Sequence, residues 1–195
     1  MYAREFQQQS DIYSSQFFQT NICIFFVKSK IFGKLLCKLS ENMKKIALFP
    51  GSFDPFTKGH HDIVVRATAL FDEVVIGIGK NSQKQRYFPL EYMTERITFT
   101  YHQHSQVRVE SFTGLTAIFA QQIGAKYLLR GLRNTTDFEY ENSIAQINKN
   151  IYPDLETIFL ITSPELAYIS STIVRDIHRY GEQVEKYLPY PLLSV

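Results

Sequence analysis

Cysteine is scarce in this chain of 195 residues, and both of its cysteines, Cys23 and Cys37, lie within the first 42 residues. Residues 43–195 therefore contain neither a disulfide framework nor a cysteine-based metal site, a composition that fits a reducing compartment. The formal net charge is only +2, too small to indicate a nucleic-acid or membrane surface. We expect a cytoplasmic protein that binds neither nucleic acid nor membrane.

Long apolar runs are missing from residues 1–42. The longest, residues 22–27, ends where Lys28 interrupts it. It is shorter than the apolar core of about 7–15 residues in a secretory signal and far shorter than the roughly 20 residues that span a bilayer. We predict that residues 1–42 are an appendage, unstructured or loosely helical, or the product of a start placed too far upstream of Met43. A weak amphipathic membrane anchor is the alternative.

Two familiar phosphate-binding signatures are also absent. Gly77 and Gly79 form only a fragment of the G-x-G-x-x-G dinucleotide fingerprint, and both fall inside a predicted strand. No G-x-x-x-x-G-K-[ST] occurs, which excludes a P-loop. No pattern in the sequence places a Ser/His/Asp or Cys/His set together.

Strand-like apolar runs alternate with helical spacing through residues 43–195. The predicted strands are residues 44–49, 73–79, 106–112, 127–129 and 156–162. Predicted helices begin near His60, at Pro89, at Leu115, at Thr136–Asp137 and at Ile173. This alternation predicts an α/β fold, a doubly wound five-stranded parallel sheet of Rossmann-like type. Ligands bind such sheets at the carboxyl ends of the strands, where the strand order reverses.

The loop after the first predicted strand, residues 50–60, combines two prolines and two glycines with Ser52, Thr57 and His60. Glycine lets the backbone approach a ligand closely, and a helix start offers unpaired N–H groups and a positive dipole end. This combination is typical of phosphate sites. An ordinary strand-to-helix turn capped by Thr57 or Asp54 is the alternative.

Polar groups also follow the fourth and fifth predicted strands. Arg130 and Arg133 come directly after the fourth strand, where guanidinium groups suit phosphate oxygens, although a solvated arginine pair would look the same. Three hydroxyls, residues 170–172, precede the last helix and Arg175. They can form an anion cup at a helix start, whereas simple N-capping would use only one of them.

These segments resemble a known family. Residues 50–60 (PGSFDPFTKGH) resemble the T/H-x-G-H signature of the nucleotidylyltransferase superfamily, and residues 169–172 with Arg175 resemble its second signature. Residues 130–133 (RGLR) followed by residues 137–141 (DFEYE) resemble, more narrowly, the bacterial phosphopantetheine adenylyltransferases. The resemblance runs from Met43 to about Leu188 and implies a nucleotidylyltransferase domain over residues 43–195.

The resemblance implies a reaction in coenzyme A biosynthesis. The adenylyl group of ATP would be transferred to 4′-phosphopantetheine, giving dephospho-coenzyme A and pyrophosphate. A phosphate nucleophile is already ionised at neutral pH, so alignment and charge neutralisation suffice without a general base. By the same resemblance, the catalytic residues are His60, which would stabilise the transition state, with Lys84 and Arg130.

The resemblance also implies binding residues and partners. Those for ATP would be Ser52, Phe53, His60, Gly131, Leu132, Arg133, Glu141, Leu166, Ala167, Tyr168, Ile169, Ser170, Ser171 and Thr172. Those for 4′-phosphopantetheine would be Ser52, Lys84, Thr116, Arg130 and Asn148. Mg²⁺ is expected with ATP, without dedicated protein ligands, and a homo-oligomer, a hexamer, is implied.

Three other functions stay open at this point. A sister enzyme of the superfamily would transfer a nucleotidyl group to a different phosphate or alcohol. A nucleotide-binding module without activity would bind ATP but would not need His60, Lys84 and Arg130 together. A membrane-tethered scaffold would rest on residues 1–42 alone.

Overall fold

Five β-strands form one parallel sheet within residues 44–80 and 85–192, which are the residues that the computed structural model describes. The strands are β1 (Ile46–Gly51), β2 (Glu73–Lys80), β3 (Val107–Thr113), β4 (Tyr127–Leu132) and β5 (Glu156–Ile161). The helices are α1 (Lys58–Ala67), α2 (Leu90–Thr100), α3 (Thr116–Gln122), α4 (Thr135–Ile151) and α5 (Ser171–Arg179). Two short 3₁₀ turns, Pro164–Leu166 and Glu185–Tyr187, complete the set. The predicted α/β fold is confirmed.

The order of the strands in the sheet is β3-β2-β1-β4-β5. The chain therefore runs outward from β1 to β3 and then returns to lay β4 against the other side of β1. Ala47 and Leu48 of β1 pair in parallel with Tyr127 and Leu128 of β4. The reversal between β1 and β4 opens a crevice at the carboxyl ends of these two strands, where doubly wound sheets bind ligands.

Both faces of the central strands are buried, as in other parallel sheets. Ala47 and Phe49 of β1 belong to an apolar cluster that includes residues of α1, α2 and α5. Leu48, between them, belongs to a second cluster on the other face with Ala117 and Phe119 of α3. This two-sided burial explains why β1 and β2 are nearly continuous apolar runs in the sequence.

The end of β4 differs from the sequence prediction. The prediction ended β4 at Leu129, but β4 continues to Leu132, so Arg130 and Gly131 are strand residues paired with Phe159 and Leu160 of β5. Pairing to β5 overrides the local turn character of this glycine-containing segment.

Helix α4 is capped earlier than the sequence predicted. Its N-cap is Asn134, whose side chain accepts a hydrogen bond from the Asp137 backbone N–H at 2.8 Å. Asparagine is as good an N-cap as serine or threonine, so the prediction of a cap at Thr136–Asp137 was wrong by two residues. Helix α5 likewise begins at Ser171, with Ser170 as its N-cap.

No helix within the described ranges is long and apolar enough to cross a bilayer. The predictions for residues 1–42, including the boundary at Met43, lie outside the described residues.

Candidate active site

His60 is held in one orientation by the helix cap at the start of α1. Thr57 is the N-cap and His60 is the third residue of the helix, and the two form a capping box. The Thr57 backbone N–H donates to His60 Nδ1 at 3.0 Å. Because a backbone N–H can only donate, Nδ1 is the acceptor and the ring proton of the neutral imidazole sits on Nε2. The cap thus leaves the Nε2–H group of His60 available as a donor.

Three phenylalanine rings surround the imidazole of His60. The ring centroids of Phe53, Phe56 and Phe49 lie 5.1, 5.4 and 6.2 Å from that of His60. Burial among these rings, with the positive charges of Arg133 and Arg130, lowers the pKa of His60 from 6.5 to about 4. His60 is therefore neutral near pH 7, which suits a hydrogen-bond donor and does not suit a general acid.

A cavity of about 470 Å³ opens in the crevice between β1 and β4, beside His60. It brings together most of the residues predicted for ATP. These are Ser52, Phe53, His60, Gly131, Arg133, Glu141, Ile169, Ser170, Ser171 and Thr172, and Arg130 joins them. The loops after β1 and β5 and the end of β4, which are far apart in the sequence, thus converge on one site.

Arg130 is fixed by contacts on two sides. Its Nε donates to Glu141 Oε2 at 2.7 Å, and its Nη2 donates to the other carboxylate oxygen. Its Nη1 donates to the Pro50 carbonyl at 2.7 Å. Arg130 therefore ties β4 to β1 and α4 in a bidentate, pre-organised geometry.

The second arginine of the cavity is also paired with a carboxylate on α4. Arg133 donates to Asp137 through Nε at 2.9 Å and through Nη2 at 3.2 Å. Since His60 is neutral, the two arginines and the two carboxylates balance one another within the described lining of the cavity. A polyphosphate bound there needs further positive charge.

Each of the three hydroxyls at the start of α5, on residues 170–172, has a protein partner. Ser170 Oγ accepts from the Ile173 backbone N–H at 3.2 Å, which is the N-cap bond. Ser171 Oγ donates to the Pro55 carbonyl at 2.7 Å, and Thr172 Oγ1 accepts from Arg175 Nη2 at 3.1 Å. The helix start still offers backbone N–H groups to an anion, while the hydroxyls mainly hold α5 against the β1–α1 loop.

A second cavity, of about 570 Å³, adjoins the first. Pro50, Gly51, Ser52 and Arg130 line both cavities. Thr116 and Asn148, predicted for the second substrate, line only this one. Asn148 is 6% exposed, and its Nδ2 has no hydrogen-bond partner among the described residues. A buried amide without a partner is costly, and a ligand carbonyl in this cavity would satisfy it.

Comparison with known proteins agrees with this geometry. The cytidylyltransferase-like family model matches residues 48–177. A phosphopantetheine adenylyltransferase from Cytophaga hutchinsonii is 59% identical over 150 residues, which cover 77% of this chain and all of that protein. One from Bacteroides thetaiotaomicron is 46% identical over 143 residues, covering 73% of this chain and 94% of that protein. The chain belongs to the phosphopantetheine adenylyltransferase family.

Solved structures support the fold of this family. A chain described as a nicotinate-nucleotide adenylyltransferase from Vibrio parahaemolyticus aligns with a TM-score of 0.57 at 18% identity, covering 76% of this chain and 88% of that one. A bifunctional NMN adenylyltransferase/ADP ribose pyrophosphatase from Francisella tularensis aligns with a TM-score of 0.55 at 16% identity, covering 75% of this chain and 45% of that one. At such identities the likeness shows the fold alone.

Some predicted residues do not reach either cavity. Leu132, Leu166, Ala167 and Tyr168 are absent from the described lining of both. Leu132 is buried, whereas Tyr168 is 63% exposed. Lys84, predicted as catalytic, lies outside the described residues, so its role stays a prediction.

The structure also adds lining residues to which the sequence assigned no role. Asp137 and Tyr140 line the first cavity together with Glu141. Their spacing of three and four residues places them on one face of α4, so helical periodicity could have found them once Glu141 was proposed. Lys80, at the end of β2, lines the second cavity.

The low pKa of His60 predicts how stability depends on pH. In the unfolded chain His60 takes up a proton near pH 6.5, but in the native protein only near pH 4. The free energy of unfolding should therefore gain a contribution from His60 as the pH rises from about 4 to 6.5, complete above that range. Urea unfolding at several pH values, compared with His60→Asn, measures it. If the free energy of unfolding changed equally with pH in the wild type and in His60→Asn, the prediction would be contradicted.

Proposed function

We propose that this protein transfers the adenylyl group of ATP to 4′-phosphopantetheine, releasing pyrophosphate and forming dephospho-coenzyme A. Membership of the phosphopantetheine adenylyltransferase family supports the substrates. The observation that carries the proposal is the pair of adjoining cavities that share Ser52 and Arg130. The ATP cavity holds His60 and the start of α5, and the second cavity holds Thr116 and Asn148.

The chemistry is an in-line displacement at the α-phosphorus of ATP. A phosphate oxygen of 4′-phosphopantetheine forms the new bond to phosphorus, and the bond to the oxygen that bridges to the β-phosphorus breaks. Because the attacking phosphate is already ionised, the protein has no proton to remove. The Nε2–H of neutral His60 would donate to an α-phosphate oxygen as negative charge accumulates there.

The charges of the two cavities favour this assignment of substrates. Lys80 and Arg130 are the charged residues among the described lining of the second cavity, and both are positive. That cavity suits the phosphate end of 4′-phosphopantetheine, with Arg130 at the border where the two substrates meet. Roles for Lys84 and Arg130 in holding the incoming phosphate are part of this proposal.

The balanced charge of the ATP cavity favours magnesium as a cofactor. Within the described residues no group of three or more histidine, cysteine or acidic side chains could hold a metal ion, and Asp137 and Glu141 are engaged by arginines. A Mg²⁺ ion bound by the ATP phosphates and water would supply the missing positive charge.

We further propose that the protein is a cytoplasmic homo-oligomer, a hexamer by family resemblance. Helix α4 buries only Asn148 among its residues, while Phe138, Ile147 and Ile151 are exposed. Large exposed apolar side chains on one helix favour a contact with a second copy of the chain. Light scattering measures the number of subunits, and a monomer would refute this part.

Pyrophosphate release from ATP tests the proposed reaction. We expect turnover with 4′-phosphopantetheine and much slower or no turnover with pantetheine, glycerol 3-phosphate or nicotinamide mononucleotide. Pantetheine is the matched control because it lacks only the attacking phosphate. Faster turnover with another acceptor would favour a sister transferase, and ATP binding without turnover would favour the binding module.

A further inference from the structure

Tyr190 lies beneath the loop that carries His60, although 130 residues separate them. The segment that follows the 3₁₀ turn Glu185–Tyr187 brings its side chain there. The Tyr190 hydroxyl donates to the Phe56 carbonyl at 2.8 Å, and the side chain is only 4% exposed. Burial raises the pKa of Tyr190 well above its ordinary value, so the hydroxyl keeps its proton and remains a donor.

The acceptor of this hydrogen bond belongs to the peptide group that orients His60. The Phe56 carbonyl and the Thr57 N–H are the two ends of a single planar peptide unit. The Thr57 N–H donates to His60 Nδ1 at 3.0 Å. The hydroxyl of Tyr190, the peptide between Phe56 and Thr57, and the imidazole of His60 therefore form one continuous hydrogen-bonded chain.

Other side chains hold the same loop but do not act on this peptide. Arg86 Nη2 donates to the Phe53 carbonyl at 3.3 Å, and Ser171 Oγ donates to the Pro55 carbonyl at 2.7 Å. Arg175 donates to the carbonyl of Asp54. These three bonds fix the path of the backbone before Phe56. Only the Tyr190 bond, among those of the described residues, acts on the carbonyl whose own peptide N–H holds the imidazole.

We propose that Tyr190 is a positioning residue that fixes the orientation and tautomer of His60 through the peptide between Phe56 and Thr57. The inference rests on the proposed function, since it concerns the donor that His60 presents to the α-phosphate. Because the peptide unit is rigid, holding its carbonyl restricts rotation of its N–H as well. A donor on the carbonyl also polarises the unit and strengthens the bond from the N–H to Nδ1.

Tyr190 lies outside the part of the chain that the family model covers, which ends at residue 177. The sequence predicts no function for this segment, because a tyrosine among prolines carries no recognisable signal there. The contact depends on tertiary packing alone.

Steady-state kinetics of Tyr190→Phe test the inference, since this change removes the hydroxyl and keeps the ring. We expect kcat to fall by about threefold to tenfold, the effect of one lost neutral hydrogen bond, with KM for both substrates within twofold. The matched control is Tyr101→Phe. Tyr101 is 3% exposed, and its hydroxyl bonds His61 Nδ1 at 2.8 Å. The control should keep kcat within twofold while losing a similar amount of thermal stability.

Nitrogen-15 NMR of the histidine rings reports the tautomer of His60, which should not change in Tyr190→Phe if Tyr190 had only a structural role. In the wild-type protein we expect His60 Nδ1 to show the shift of an unprotonated nitrogen and Nε2 that of a protonated one. In Tyr190→Phe the two shifts should move toward each other as the second tautomer becomes populated. Incorporating 3,5-difluorotyrosine at position 190 keeps the ring and makes the hydroxyl a stronger donor, so it should move the Thr57 amide and His60 Nδ1 resonances.

The possible outcomes separate this inference from the proposed function. If the wild-type protein does not turn over 4′-phosphopantetheine, the proposed function fails, and the NMR comparison still decides whether Tyr190 sets the tautomer of His60. If the wild-type protein is active, then wild-type kcat and unchanged His60 resonances in Tyr190→Phe would overturn the inference. Equal losses of kcat in Tyr190→Phe and Tyr101→Phe, with unchanged resonances, would overturn it too.

Discussion

Replacing His60 by alanine is expected to lower kcat by roughly two to three decades, the usual cost of removing one donor that acts in the transition state. The imidazole presents Nε2–H because the Thr57 N–H donates to Nδ1. Its pKa of about 4 keeps it neutral in an assay near pH 7. ATP should still bind, since the backbone at the start of α5, Arg130 of β4 and Arg133 after β4 stay in place. Pre-steady-state pyrophosphate release and ATP titration measure the two effects separately.

The next residue in the chain supplies the control for this variant. His61 is also on α1, but successive helical positions differ by about 100°, and its Nδ1 bonds the Tyr101 hydroxyl at 2.8 Å. We expect His61→Ala to keep kcat within a few-fold of wild type. A decrease smaller than threefold in His60→Ala would remove His60 from the reaction, and loss of ATP binding would instead give it a binding role.

The fold could be predicted because its signals are local and repeated. Apolar β-branched runs such as residues 73–79 are typical of strands buried on both faces, and the intervening helical spacing dictates parallel connections. The crevice between β1 and β4 then follows from the topology rules for such sheets. Sequence patterns therefore predict that His60, Arg130 and the residues at the start of α5 lie at one edge of the sheet.

The partners of these residues could not be predicted in the same way. That Glu141 pairs with Arg130, or that Ser171 bonds the Pro55 carbonyl, depends on distances set by packing between elements. The boundary of β4 shows the same limit, because Arg130 and Gly131 become strand residues only by pairing with β5. A Cβ on Gly131 would lie 3.2 Å from Ile63 Cγ1 of α1, a steric constraint that no linear pattern displays.

The packing also changes how the proposed active site is understood. The sequence indicated a collection of phosphate ligands, whereas the structure shows that most of them are already hydrogen-bonded to protein. Arg130, Arg133 and the hydroxyls at the start of α5 have fixed partners, which keeps their remaining donors oriented before a substrate arrives. Such pre-organisation is what electrostatic stabilisation of a transition state requires.

Replacing Arg130 by alanine should have the second large effect, a loss of kcat/KM for 4′-phosphopantetheine on the order of 10²–10³-fold, by analogy with loss of one transition-state donor. Arg130 lines both cavities, so in the proposed reaction its charge would act on the incoming phosphate and on the α-phosphate together. Its removal also leaves the Glu141 carboxylate, whose side chain is 11% exposed, without its ion-pair partner. This loss should lower the free energy of unfolding by about 1–3 kcal/mol. Kinetics and urea unfolding measure the two losses.

The double variant Arg130→Ala/Glu141→Gln separates the two roles of Arg130. Since Glu141→Gln removes the stranded charge, the double variant should recover most of the lost stability, but it lacks the guanidinium and should stay as slow as Arg130→Ala. The kcat/KM of Arg130→Lys should lie between the values of these two variants and that of the wild type. An ammonium group keeps the positive charge, but it cannot reproduce the bidentate pair with Glu141 while also bonding the Pro50 carbonyl. Recovery of activity along with stability in the double variant would mean that Arg130 acts only by neutralising Glu141, and the guanidinium would then have no place in the transfer of the adenylyl group.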